Sequence, residues 1–324
     1  MAHKKRRDNM FDKVNKVFEK IPTGWINFLT IISSIMAIGS PIVGGIAIKL
    51  TYPNNPNIHI IYFVIICTVV GMWFLMFRYM IKYRKILVEV KSTTSNRFFE
   101  LNRRFRNVYF DIDKTSKQGN FTIEYLTEKV EGMLKSSLDD LCEIYKAFSG
   151  QKVSACVKYI DSVGPVELKD ATLRTFVRSS NADVKRCELD NNLSGPIYIK
   201  DNSDFYELLD NNQSYFYQQN LIEYAKKCAE MGKEYKNSTP KWYLYYKGTI
   251  VVPINIANRR VAYKGKENSY DVIGFLCVDS LSTEAFLESE KNYNVSIAKA
   301  VAAQMYMMLK QYRQYLKILT DGCE

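Results

Sequence analysis

Two long apolar segments in tandem constrain this chain more than anything else in it. Trp25 to Ile48 is 24 residues without a formal charge, and Ile60 to Phe77 is 18 more. Each is long enough to cross roughly 30 Å of hydrocarbon as a helix. The connector between them, Lys49-Leu-Thr-Tyr-Pro-Asn-Asn-Pro-Asn57, carries one charge, whereas Lys4-Lys-Arg-Arg7, Lys13, Lys16 and Lys20 precede the first segment and Arg78, Lys82, Arg84 and Lys85 follow the second. The pattern predicts a transmembrane hairpin over 21–81, with Pro53–Asn57 outside and both termini in the cytoplasm by the positive-inside bias. The first segment is too long for a signal peptide and runs into Pro41 and Gly44-Gly45 rather than a cleavage site, so the anchor is expected to stay.

Charge bookkeeping divides the chain. Residues 1–108 hold 17 of the 45 Lys+Arg and 5 of the 34 Asp+Glu, a net of +12, and residues 109–324 hold 28 against 29. The basic excess is therefore a signal of membrane topology rather than a nucleic-acid footprint. The 7 cysteines, at 67, 142, 156, 187, 228, 277 and 323, show no CxxC and no metal-ligand spacing, which fits reduced thiols in a cytosolic domain.

Beyond the hairpin, Arg78 to Tyr109 reads as a stalk helix with Phe98, Leu101, Phe105 and Val108 at coiled-coil spacing, and Asp111–Asn120 reads as its linker. An amphipathic helix is predicted over Thr122–Phe148, stopped by Gly150. Strands follow at Val153–Ile160 and Leu173–Arg178, a helix at Asp204–Leu209, a strand at Tyr215–Gln218 and a helix at Leu221–Met231. The most apolar strands are Thr249–Ile256 and Tyr270–Asp279, and a long helix from Lys291 to about Leu316 closes the domain. The organisation is thus a basic tail (1–20), hairpin (21–81), stalk and linker (82–120), soluble domain (121–318) and short tail (319–324). The soluble domain is expected to be α+β, one antiparallel sheet flanked by helices.

Here the residues carry a resemblance. Tyr246-Lys-Gly-Thr-Ile-Val-Val-Pro-Ile254, then Val272-Ile-Gly-Phe-Leu-Cys-Val-Asp-Ser280, then Phe286 before the closing helix, resemble the second half of a GAF domain. Phe205–Leu209 and Tyr215–Tyr217 sit where that family places its pocket-side elements, so the similarity covers roughly residues 122–318. The resemblance implies a sensor with a small-molecule pocket, and dimerisation through the first and last helices. Asp279-Ser280 stands where the cyclic-nucleotide subclass has Asn-Lys, so it implies a ligand pocket but not a cyclic mononucleotide.

Chemistry is bounded by what is missing. The 2 histidines are His3 and His59, both outside the soluble domain, and no P-loop, nucleophile elbow or Cys/His constellation occurs. The expectation is a binding protein, not an enzyme, with no catalytic residues, no metal site and no cofactor. Asp139-Asp140 reads as a solvated helix face, because adjacent helical positions diverge by about 100°. The candidate ligand residues are Arg174, Arg178, Asn237, Trp242, Tyr246 and Lys247. Arg174 and Arg178 are four apart in a strand and should share a face, either as exposed edge residues or as an anion pocket. The rings either stack on a planar ligand or fill the core beneath the sheet. In the first apolar segment Asn27, Thr30, Ser33, Ala37, Ser40 and Gly44 form one small, partly polar stripe. It either packs helices together or lines an aqueous pathway in an oligomer.

The chain continues about eight residues past the closing helix, so the hairpin, or a separate partner, is the expected output. A hairpin joined to a second-messenger sensor is similar in architecture to bacterial antiphage membrane effectors. That likeness implies a bacterial inner (plasma) membrane, a nucleotide or oligonucleotide ligand, and a nucleotidyltransferase-like producer of the signal. It also implies a homo-oligomer, a tetramer or dimer of dimers, whose hairpins open a pore. The alternative is a membrane-tethered sensor that recruits a separate signalling enzyme and has no pore.

Overall fold

The computed structural model describes residues 44–46, 48–49, 51, 56–117, 121–161, 170–191, 195–211, 213–255 and 272–321. Most of the first apolar segment lies outside these residues, including Asn27, Thr30, Ser33, Ala37 and Ser40, as does the connector tip at 52–55. Contacts divide the chain into two units, residues 1–88 and 89–324.

In the first unit helix α1 (Pro56–Ser116) opens on a proline, whose missing N–H is harmless in a first turn. Among the described residues it is the one helix long and apolar enough to cross a membrane, by length and composition, and its apolar stretch is not buried within the protein. Ile60, Phe63 and Leu75 are among the large side chains it leaves exposed. Residues 44–46 and 48–49 are helical. Gly44 lies hard against Tyr62 of α1: a Cβ there would sit 2.0 Å from the phenol oxygen.

The second unit takes in the later part of α1. Leu101, Phe105 and Ile112 are buried there, and Phe98 and Val108 pack beside them. The expected seam thus lies on the domain's own core, and because Ile112 is anchored the helix runs to Ser116, through residues that read as linker. Helix α2 (Ile123–Ser149) is capped at both ends: Thr122 accepts from the Tyr125 N–H, and Gly150, at φ 67°, takes the left-handed conformation that closes the last turn. Asp140 is not solvated. It accepts from Arg97 Nη1 at 2.8 Å and from Arg104 Nη1, clasping α1 to α2. Asp139 accepts from the backbone and hydroxyl of Ser180 at 2.6 and 2.8 Å. Divergence by about 100° holds, but both directions are occupied.

Six strands form one antiparallel sheet in the order β3-β2-β1-β6-β5-β4. They are β1 (Ser154–Ile160), β2 (Thr172–Arg178), β3 (Ile197–Tyr198), β4 (Phe216–Gln218), β5 (Gly248–Ile254) and β6 (Gly274–Ser280). Helices α3 (Val184–Asn191), α4 (Ser203–Asp210), α5 (Leu221–Glu230) and α6 (Lys291–Asp321) complete the unit. The α+β architecture with one flanked antiparallel sheet is the one expected. Period-two alternation splits the sheet's side chains between two faces. On one, Val157, Leu276, Val278, Ile250 and Val252 meet Leu134, Leu138 and Leu141 of α2 and Val301, Met305 and Leu309 of α6. Each such side chain contributes about 1.5–3 kcal/mol by leaving water. The other face has a smaller apolar cluster, in which Phe205 of α4 stacks on Phe275 of β6 at 4.6 Å. It also carries polar and charged side chains.

Candidate anion-binding site

Four strand positions on that second face carry polar side chains into a buried setting: Lys158 of β1, Arg178 of β2, Thr249 of β5 and Asp279 of β6. Helix α3 covers them with Arg186 and Asp190, which are four residues apart and so lie on one helical face. Arg186 Nη1 donates to Asp279 Oδ2 at 2.8 Å, and Asp279 Oδ1 accepts from Thr249 Oγ1 at 2.7 Å. The guanidinium also lies 4.5 Å from the centre of the Tyr246 ring, within cation–π range. Arg178 Nε donates to Asp190 Oδ2. Lys158 Nζ donates to Thr175 Oγ1 at 2.6 Å and stands 3.7 Å from Asp190 Oδ1.

Three cations within one buried cluster act on two of its titratable neighbours, Asp190 and Cys156. Although burial opposes it, Lys158 and Arg178 hold the Asp190 carboxyl below its ordinary range. The Cys156 thiol, directly across from Cys277 in the β1–β6 ladder, is pulled down by its hydrogen bond with that residue and then by Arg178, Lys158 and Arg186. Asp204 of α4 goes the other way: burial, reinforced by the Asp279 charge, pushes it up to about 7. Despite burial, the Asp279 and Tyr246 partners hold Arg186 above its usual range. Even so, two buried donor atoms, Arg178 Nη2 and Arg186 Nε, find no hydrogen-bond partner among the described residues. A buried, unsatisfied N–H of a charged group is costly, so these two donors are the atoms of the cluster that an added acceptor would satisfy.

Beside the cations stands an aromatic group. Asn237 Nδ2 donates to Tyr246 Oη at 2.6 Å and to Tyr235 Oη at 3.3 Å, and Trp242 lies 5.3 Å from the Tyr235 ring and 5.9 Å from that of Tyr246. Arg178, Asn237, Trp242 and Tyr246 therefore fall in or beside one cluster. Lys247 enters the fold through its backbone, its N–H on the Ser280 carbonyl at 2.7 Å. Arg174 lies on the opposite face, paired with Asp161 at 2.6 Å and set over the Tyr159 and Phe176 rings. The expectation that Arg174 and Arg178 share a face fails for one reason: the β1–β2 register shifts between Val157 and Lys158, so Val157 pairs with Val177 and Lys158 with Thr175. The extra residue, Phe176, inverts the alternation between the two arginines.

Sequence reasoning missed Lys158, Arg186, Asp190, Asp204 and Asp279 as members of this site. A lysine inside the apolar run Val153–Ile160 was the available signal, since a strand that buries both faces has no cheap place for it. On the far side, the later part of α1 and helix α6 line an apolar groove of about 860 Å³ with Phe105, Tyr109, Phe110, Met307 and Ile318.

No protein-family model matches the chain, and no curated protein matches it. Solved structures to which the chain is similar include the GAF domain of an Acinetobacter phosphoenolpyruvate-protein phosphotransferase, at 11% identity over 59% of this chain and 92% of that one, TM-score 0.34. A GAF domain/HD domain protein from Geobacter sulfurreducens is similar at 10% identity over 58% and 99%, TM-score 0.35. A type II free methionine-R-sulfoxide reductase from Thermoplasma acidophilum is similar at 15% identity over 56% and 96%, TM-score 0.32.

Proposed function

We propose that this protein is a membrane-anchored, GAF-like sensor that binds a small nucleotide-like anion and converts binding into a change at the membrane. The observation that carries the reading is the buried cation cluster of Lys158, Arg178 and Arg186 beside the Tyr246 and Trp242 rings, with two guanidinium nitrogens left without acceptors. Phosphate or carboxylate would take the cations, and a base would take the rings. Such a site binds; it has no imidazole to run acid–base chemistry, and we assign it no enzymatic role. Output follows from α1, whose apolar start and domain-packed end are one helix. In this reading both termini are cytoplasmic, in a bacterial inner membrane, and the groove between α1 and α6 takes a second copy. The assembled hairpins form a pore, and a nucleotidyltransferase-like enzyme supplies the signal, as in antiphage defence.

One observation favours the second reading, a tethered sensor without a pore. Gly44, the last residue of the small-residue stripe, is occupied by Tyr62 of α1, which is how a packing contact behaves. Ion flux from vesicles holding the full chain, exposed to a panel of mono-, di- and trinucleotides, separates the readings. Flux triggered by a nucleotide that Arg178→Ala binds at least tenfold more weakly, about 1.4 kcal/mol, supports the gated pore. Binding without flux supports the tethered sensor. Undiminished binding by Arg178→Ala places the ligand elsewhere.

A further inference from the structure

Helix α3 is an unusual cover for a buried site. Val184, Lys185 and Glu188 are exposed, Cys187 is half-buried, and among the side chains described Arg186 is the one the helix buries. Two inward charges tie it to the sheet, Arg186 to Asp279 and Asp190 to Arg178. The second of these contacts is incomplete. A guanidinium offers a carboxylate two parallel N–H groups, yet Asp190 takes Arg178 through Nε alone, leaving Nη2 buried without a partner. Its other oxygen stands 3.7 Å from Lys158 Nζ, beyond hydrogen-bond distance. Arg186 Nε, four residues back on the same helix, is also unpartnered.

We propose that Asp190 is a stand-in for an oxyanion of the ligand: it occupies, through Arg178 Nε and not Nη2, a subsite whose donors suit a fuller acceptor, and the last turn of α3 leaves when that acceptor arrives. This rests on the cluster being the ligand site. The Arg186–Asp279 pair keeps the first turn in place while Asp190 exchanges out, so the ligand's affinity is lowered by the carboxylate it must displace. An opening confined to the last turn of an eight-residue helix breaks few backbone hydrogen bonds, which suits a reporter of occupancy. The class of group recognised is a compact oxyanion, phosphate or carboxylate.

The test uses the full chain in detergent with inorganic pyrophosphate and succinate as probes, binding being read from thermal unfolding shifts. Asp190→Asn keeps the side chain's shape and removes the competing charge. It should bind at least one probe at least tenfold more tightly than the natural protein, and the probe that gains identifies the oxyanion as phosphate or carboxylate. Equal or weaker binding of both overturns the stand-in. Arg178→Gln separates the two claims. If it loses the probe while Asp190→Asn gains nothing, the site stands and the stand-in falls; if it binds as the natural protein does, or if no protein binds either probe, both fall. Should Asp190→Asn fail to fold, amide exchange in the natural protein decides: pyrophosphate or succinate must speed exchange over 184–191, and unchanged or slowed exchange overturns the proposal.

Discussion

Val278 and Asp279 are neighbours on β6, and both are almost wholly buried, yet they face opposite sides of the sheet and answer to different physics. Val278 belongs to a layer of aliphatic side chains pressed by α2 and α6, where each methyl adds stability and no partner is needed. Asp279 belongs to a layer of charges whose desolvation is repaid by specific partners, Arg186 and Thr249. A sheet that buries both faces for stability alone has no use for the second kind. The difference teaches that one face holds the domain together by apolar burial, whereas the other carries charges that cost stability unless partnered, as the proposed binding role would require.

The sharpest way to break this comparison is to substitute the two neighbours. Asp279→Ala strands Arg186 in a site where 7% of its side chain is exposed. We expect a loss of about 3–5 kcal/mol by urea denaturation, against about 2 kcal/mol for Val278→Ala. The double change Arg186→Met with Asp279→Leu should return stability to within about 1 kcal/mol of the natural protein, because apolar replacement of a whole buried pair is close to neutral. A double variant as unstable as Asp279→Ala would show that the pair is a structural clamp.

Asp204 sharpens the comparison through pH. Its folded-state pKa is raised to about 7, whereas an unfolded aspartate titrates near 3.9. The folded state therefore holds the extra proton over that interval, and its contribution to stability is full below about pH 4 and is lost as pH rises toward 7. The stability difference between the natural protein and Asp204→Asn should change by roughly 1 kcal/mol per pH unit across this window, and level off above it. Comparing the two cancels other titrating groups, Cys156 among them. A flat difference would mean that Asp204 is ionised and paired when folded.

Asp140 applies the same contrast outside the sheet. It is buried, but Arg97 and Arg104 are 42% and 34% exposed at their side chains, so removing its charge leaves cations that can turn to water. Asp140→Asn should cost about 1–2 kcal/mol, less than the Asp279 substitution, since hydrogen bonds to charged groups of this kind contribute about 1.5–3 kcal/mol before that discount. Amide exchange over 97–104 should rise with it. A loss as large as that of Asp279→Ala would show that exposure of the partners does not set the cost.

What the sequence made legible follows from the same split. The stabilising face announces itself in long apolar periodicities: α2, with Leu126, Val130, Leu134 and Leu141, and α6, with Val301, Met305 and Leu309, were readable. Strands β5 and β6 were readable for their unbroken apolar runs. The charged face is mostly silent, because polar residues at the right spacing look the same whether they face water or a buried partner. Helix α3 shows why: Val-Lys-Arg-Cys-Glu-Leu-Asp-Asn has no apolar stripe, so nothing in it separates an inward Arg186 and Asp190 from solvated ones. In the sequence Asp204 stands as a helix start and Asp279 as a motif position, and neither is marked as a buried charge.

The smallest expected effect belongs to Arg174, and it tests the reading of the sheet most directly. Arg174 and Arg178 stand four residues apart on β2, yet the register shift beside Phe176 puts them on opposite faces. Arg178 is 7% exposed at its side chain and paired with Asp190; Arg174 is 45% exposed and paired with Asp161, itself 40% exposed. An exposed pair of this kind contributes under about 1 kcal/mol, and its stacking over Tyr159 and Phe176 adds a similar amount at most. Arg174→Ala should therefore shift the urea midpoint slightly and leave pyrophosphate binding unchanged, with its cost shrinking at high salt as surface charges are screened. If Arg174→Ala weakens anion binding as Arg178→Gln does, the alternation is uninterrupted in solution. The two arginines would then share a face, and the assignment of one face to stability and the other to recognition would have to be redrawn from β2 outward.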